Sequence, residues 1–379
     1  MNANDAQNLG RDAQVPSYIL DIAPYQAGKP IEELAREFGL DPAGIVKLAS
    51  NENPLGLPPS AQRAMIEAAG TLARYPDPNG FDLKAALAEH YQVPASWLTL
   101  GNGSNDLLEL ASLAFLAPGS SCVYAQHAFT VYRLATQARG ARHLMVPALD
   151  YGHDLDAMLA AIDADTRLLF VANPNNPTGT FLPSARVEAF LAAVHAAHGE
   201  RVTVVLDEAY NEYLDPELRF DSSAWVRRFP NLIVVRTFSK AYGLAGLRVG
   251  FAMAQPRLTD LLNRVRQPFN VNTLAQAAAI AALHDQEFLQ RAYETNKAGK
   301  RQLAEAFDKL GLQYVPSYGN FVLVRVGDAA RINLELLKRG VIVRPVAGDG
   351  LPEWLRVSIG LPQENARFIE ALAAVLSGQ

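Results

Sequence analysis

Val202-Thr-Val-Val-Leu206, followed at once by Asp207-Glu-Ala-Tyr210, is the stretch on which the architecture turns. A five-residue apolar run rich in β-branched side chains has the length and chemistry of a strand, and an acidic residue stands where it stops. Two more runs end in the same manner. Leu168 to Ala172 leads into Asn173-Pro-Asn-Asn-Pro-Thr-Gly179, and Leu232 to Arg236 leads into Thr237-Phe-Ser-Lys240. In an open α/β sheet, ligands gather outside the carboxyl ends of the strands, where loops converge and helix N-termini point inward. An Asp, an Asn and a Lys at three such ends therefore mark a candidate site.

Outward from that stretch, short apolar runs at 97–100, 121–125, 142–146, 168–172, 202–206, 232–236 and 249–254 alternate with helical patterns such as 104–116 and 184–198. That rhythm belongs to a mostly parallel sheet wrapped by helices. After Pro268 it changes. Two long helical stretches, 273–284 and 286–310, precede short strands at 320–326, 341–344 and 354–359, which reads as a smaller α+β unit. The expected division is a mobile tail over 1–16, an N-terminal segment over 17–55 that packs with the small unit, a large domain over 56–267 and a small domain over 268–379.

Composition narrows the function classes. Of 379 residues, 49% are hydrophobic and 19% charged, the balance of a globular chain with a large core. With 34 basic against 39 acidic residues and no basic block, nucleic acid is not an expected partner. No apolar stretch reaches the length of a membrane span, so no membrane partner is expected either. Cys122 is the sole cysteine and sits in an apolar run, which fits a cytoplasmic protein and a buried, non-catalytic thiol. No metal site is expected.

Each candidate taken singly has a plainer reading. An Asp at a strand end caps helices, an Asn-Pro run makes turns, and a lone Lys is solvated. Their joint occurrence changes this, together with Gly101-Asn-Gly-Ser-Asn105, a strand-to-helix turn whose backbone N–H groups and helix dipole suit an anion. An anion cradle, a carboxylate, a hydrogen-bonding Asn and Tyr, and a Lys near an Arg are what pyridoxal phosphate requires. The carboxylate keeps the ring nitrogen protonated and the Lys holds the cofactor. A lysine confined beside cations has a depressed pKa, which suits both Schiff-base formation and proton transfer.

The runs Asn173–Gly179, Asp207–Tyr210 and Thr237-Phe-Ser-Lys-Ala-Tyr-Gly-Leu-Ala-Gly-Leu-Arg248 resemble the fold-type I, class II pyridoxal-phosphate-dependent aminotransferases, most of all the histidinol-phosphate aminotransferase branch, from about Ile22 to Leu376. That resemblance implies that Lys240 carries the cofactor and shuttles the proton, that Asp207 pairs with the ring nitrogen, and that Asn176 and Tyr210 bond the ring's phenolic oxygen. It places Gly103, Ser104, Asn105, Thr237, Ser239 and Arg248 on the phosphate and Phe129 on the ring face. Many members have Pro-Thr-Tyr where this chain has His127-Ala-Phe129, so the stack is kept and a hydroxyl is lost. Tyr75 resembles the tyrosine that reaches a neighbouring subunit's cofactor phosphate, which implies a homodimer with shared active sites. Arg356, Arg344, Tyr25 and Asn53 match substrate positions. The implied reaction transfers an amino group reversibly between L-histidinol phosphate and 2-oxoglutarate, within histidine biosynthesis. An aromatic amino acid aminotransferase acting on phenylalanine or tyrosine, and a threonine-phosphate decarboxylase, share the motifs and stay open.

Overall fold

The computed structural model describes residues 15–24 and 28–378. The expected tail, up to residue 14, and Tyr25 lie outside the described residues. In chain order the strands are β1 (Val46–Lys47), β2 (Leu98–Gly101), β3 (Ser121–Ala125), β4 (Arg142–Val146), β5 (Thr166–Ala172), β6 (Thr203–Asp207), β7 (Leu232–Thr237), β8 (Gly250–Ala254), β9 (Tyr314–Val315), β10 (Phe321–Arg325), β11 (Val341–Ile342), β12 (Arg344–Val346) and β13 (Leu351–Ser358).

Strands β2 to β8 form one seven-stranded sheet in the order β2-β8-β7-β6-β5-β3-β4. Only β8 runs against its neighbours, pairing antiparallel with β2 and β7. Every residue of β6 and β7 is buried, which is why their sequences are continuous apolar runs rather than alternating ones: helices cover both faces. Strand β4, at the edge, instead exposes Arg142, His143 and Met145. Cys122, in the middle of β3, is fully buried, and burial pushes its thiol up to about 12. No described helix is long and apolar enough to cross a membrane.

A four-stranded antiparallel sheet, β12-β13-β10-β9, carries the second core, where Leu303, Phe307, Val324, Leu355 and Phe368 pack with Leu48. Leu48 arrives there because β1 pairs in parallel with β11, Val46 opposite Val341. The N-terminal segment is thus stitched to the edge of the small unit before it enters the cleft.

In helix Thr273–His284, which follows Pro268, Ala275, Ala278, Ala279, Ala282 and Leu283 are buried in the core around the large sheet. The reason is the small size of those side chains: a face of alanines lets the helix lie close against helices Pro59–Ala68 and Phe81–Tyr91. Helix Gln286–Lys309 follows directly.

Candidate active site

The three strand ends singled out in the sequence lie side by side. Ala172 of β5 pairs with Asp207 of β6, and Asp207 pairs with Val235 of β7. Their loops consequently open into one cavity, lined by Ser104, Asn105, Phe129, Tyr132, Ala172, Asn176, Asp207, Tyr210, Thr237, Ser239, Lys240, Arg248, Arg344 and Arg356, with Ala49, Ser50 and Asn51 closing another wall. Behind it, Arg236 anchors the same strand ends: its guanidinium meets Glu208 at 2.8 Å in a buried pair.

Lys240 Nζ donates to Ser50 O at 3.3 Å and stands 5.8 Å from the Tyr210 ring centre. Burial first, then the nearby Arg356 and Arg248 cations, outweigh the opposing carboxylates of Glu52 and Asp207 and bring its pKa down to about 8. A lysine in this state yields a neutral amine at mildly alkaline pH, as a nucleophile or a proton carrier needs.

Asp207 is 5% exposed. Burial raises its pKa to about 6, against hydrogen bonds from Tyr132 Oη at 2.8 Å and Ala209 N at 3.2 Å that favour the ionised form. Tyr132 is itself locked by a parallel stack on Phe170, centres 4.5 Å apart, and meets Phe129 edge-on at 5.9 Å. A carboxylate so held is short of a cationic partner, and a protonated ring nitrogen is one.

At the adjoining end, Ser104 opens helix Ser104–Phe115, preceded by Gly103 at φ 82°. A side-chain carbon at Gly103 would lie 2.5 Å from Arg248 Nη2, so the guanidinium rests directly on this turn. Arg248 Nη1 donates to Ser239 Oγ at 3.2 Å, and Thr237 Oγ1 accepts from Ser239 N at 3.1 Å. Helix N-terminus, guanidinium and two hydroxyl residues converge as a cradle for a dianion. These donor sets fit pyridoxal phosphate, an anion cradle for its phosphate and a buried carboxylate for its ring nitrogen.

The opposite wall is cationic. Arg344 and Arg356 are direct cross-strand partners on β12 and β13. Like charges so placed repel, and an anion between them removes the repulsion. Arg356 also donates to Asn176 Oδ1 at 2.7 Å and to Ala49 O at 2.6 Å, lying over the Phe321 ring at 5.5 Å. A guanidinium with this many fixed contacts has little entropy left to lose on binding a ligand.

Of the described residues named from the sequence, three do not line the cavity. Gly103 contributes through its contact with Arg248. Tyr75 is 82% exposed and stacks on Phe269, centres 4.6 Å apart. Asn53 spends its amide within the protein, donating to Ala241 O at 2.8 Å and accepting from Leu55 N at 3.0 Å, which ties the entering segment to the loop after Lys240. Conversely, Tyr132, Ser50 and Asn51 reach the site without having been singled out. Tyr132 had a faint signal, lying one helical turn beyond Phe129. The contacts of Ser50 and Asn51 depend on a tertiary crossing that no local pattern records.

The family described as aminotransferase class I and II matches residues 43–372. Histidinol-phosphate aminotransferase 1 of Cupriavidus pinatubonensis is 67% identical over 365 residues, covering 95% of this chain and 96% of that protein. The histidinol-phosphate aminotransferase of Methylobacillus flagellatus is 59% identical, covering 95% and 97%. Among solved structures, a histidinol-phosphate aminotransferase from Sinorhizobium meliloti in complex with pyridoxal-5'-phosphate superposes with a TM-score of 0.87 at 30% identity, covering 98% of this chain and 99% of that one. Matched along nearly its whole length, with a lysine, a buried aspartate and an anion cradle meeting in one cavity, the chain belongs to the class I and II aminotransferases.

Proposed function

We propose that this protein uses pyridoxal phosphate to transfer an amino group reversibly between L-histidinol phosphate and 2-oxoglutarate, giving imidazole-acetol phosphate and L-glutamate. The observation that carries the substrate reading is the Arg344 and Arg356 pair facing the cavity that holds Lys240. Two guanidiniums in register suit a dianionic phosphate in one half-reaction and a carboxylate of glutamate in the other. Relatives that bear this activity in their names, at 67% and 59% identity, support it.

When bound, pyridoxal phosphate supplies an electron sink conjugated to the carbon that bears the amino group. The chain's residues supply the rest. Asp207 would accept a hydrogen bond from the ring nitrogen and keep it cationic, and Tyr210 and Asn176 would hydrogen-bond the phenolic oxygen. Phe129 covers the ring. Lys240 would hold the cofactor and, as a neutral amine, would serve as the group that moves the proton of the amino-bearing carbon. Gly103, Ser104, Asn105, Thr237, Ser239 and Arg248 hold the phosphate. Tyr25 and Asn53 belong to the same proposal at the substrate end, Asn53 as a support.

Single half-reactions test the substrate. Loss of the holoenzyme's visible absorbance is expected on the order of 10²-fold faster with L-histidinol phosphate than with L-phenylalanine, because only the former offers the phosphate that the paired arginines need. Release of carbon dioxide from O-phospho-L-threonine without an amino acceptor would mark a decarboxylase, and a faster reaction with phenylalanine would mark an aromatic aminotransferase. Arg356→Ala should lower kcat/KM for both histidinol phosphate and glutamate by roughly 10²-fold. Unchanged rates in both halves would remove Arg356 from the substrate site.

The working unit is proposed to be a cytoplasmic homodimer. Ile66, Leu72, Tyr75, Phe81 and Phe269 are all exposed, and Tyr75 stacks on Phe269, apolar side chains of the kind that a partner surface covers. A second copy would cover it, with Tyr75 reaching the neighbour's cofactor phosphate. Sedimentation at micromolar concentration should show a dimer. Tyr75→Ala should weaken cofactor binding by roughly tenfold, one lost hydrogen bond to a charged group, with the dimer intact. A monomeric wild type with full activity would refute the shared site.

A further inference from the structure

Three consecutive residues, Ala49 to Asn51, touch three groups of the site. Ala49 O accepts from Arg356 Nη2 at 2.6 Å, Ser50 O from Lys240 Nζ at 3.3 Å, and Asn51 Nδ2 donates to Tyr210 Oη at 3.0 Å. The first two contacts use backbone that any sequence would provide. The third uses a particular side chain at a costly position: Asn51 is 1% exposed and holds φ at 56°, in the left-handed region that Asn tolerates better than other non-glycine residues.

The hydrogen bonds around Asn51 have a determined direction. Asn51 N donates to Ser358 Oγ at 2.8 Å, so the Ser358 hydroxyl must point its own proton elsewhere, and Asn51 Oδ1 receives it at 2.9 Å. That identifies the oxygen end of the amide and turns its NH₂ end to Tyr210. The backbone carbonyl is also committed, accepting from Asn320 Nδ2 at 2.8 Å. Tyr210 Oη therefore accepts from Asn51, and its proton is directed away from Asn51. Ser358 stands two residues beyond Arg356 on β13, hence on the same face of the strand.

We propose that Asn51 is a positioning residue: it sets the direction of the Tyr210 hydroxyl proton, and through Ser358 it ties that direction to the strand bearing Arg356. With the amide in place, Tyr210 acts as a donor toward the cofactor's phenolic oxygen. The inference rests on the aminotransferase reading.

Two substitutions separate the side chain from the backbone. Asn51→Gly keeps the left-handed backbone and deletes the amide. Asn51→Asp keeps the shape and offers Tyr210 an acceptor instead of a donor. The readout is the pH midpoint of the visible absorbance change of substrate-free holoenzyme, which reports the hydrogen bond at the phenolic oxygen independently of turnover. Both variants should raise the midpoint by about half to one unit, N51D more than N51G, since one hydrogen bond to the charged form is withdrawn. In a Tyr210→Phe background, Asn51→Gly should add less than about 0.2 unit, because the group it acts through is gone. An unmoved midpoint in N51G and N51D, or an equal shift with and without the Tyr210 hydroxyl, overturns the proposal. Should neither Asn51 variant fold, Ser358→Ala carries the test: a smaller rise in the same direction supports the proposal and an unmoved midpoint overturns it. Wild type that shows no visible band after purification with pyridoxal phosphate would refute the aminotransferase reading itself, and the role of Asn51 with it.

Discussion

Lys240→Ala is expected to lower kcat by a factor on the order of 10⁴ to 10⁶, with the fold and the cofactor-phosphate cradle intact. The size follows from a double loss, since in the proposed reaction one amine would both hold the cofactor and carry the proton. No neighbour can replace it. Arg356 and Arg248, the cations that depress its pKa, cannot deprotonate near neutral pH. Lys240→Arg should therefore be as inactive as the alanine variant. Single-turnover absorbance with L-histidinol phosphate checks the result, and residual turnover above about 1% in Lys240→Ala would mean that another group moves the proton.

Asp207→Asn is expected to lower kcat by on the order of 10³-fold, and to stabilise the protein when cofactor is removed. The two effects have one origin. Burial raises the carboxyl from 3.8 to about 6, so the folded chain holds this proton more tightly than the unfolded chain does. Asp207 thus costs nothing below pH 4, and its full cost of ~3 kcal/mol is present above pH 6. Cofactor-free protein loses stability on this account as pH rises from 4 to 6, and a cationic ring nitrogen restores it. The asparagine variant carries no charge to bury, and the Tyr132 hydroxyl can turn from donor to acceptor beside it. Thermal unfolding of the cofactor-free variant at pH 7.5 should come a few degrees above wild type, with the gap closing by pH 4. A variant less stable than wild type at both pH values would show that the two hydrogen bonds to Asp207 outweigh its burial.

Among the site residues, Asp207 and Lys240 were readable because each ends a buried apolar run, and strand ends in such sheets meet by construction. Tyr132 was not, because its partner Asp207 lies 75 residues away. Nor were the packing partners of helix Thr273–His284 readable. Its alanines fit a close helix contact, but the sequence does not say with which helix.

The linear chain by itself determined the seven strands of the large sheet, the residues at their ends, the strand-to-helix turn at Gly101 to Asn105 and the motifs shared with the aminotransferases. All are local, written in runs of apolar residues and the groups that terminate them. Tertiary structure alone decided the rest: that Arg344 and Arg356 stand opposite each other, that Ala49 to Asn51 cross the cleft to meet Lys240, Tyr210 and Arg356, and that Asn53 braces a loop instead of facing the cavity. The physical reason is that these contacts join segments up to 307 residues apart, and hydrogen bonds of such span are set by how two cores dock.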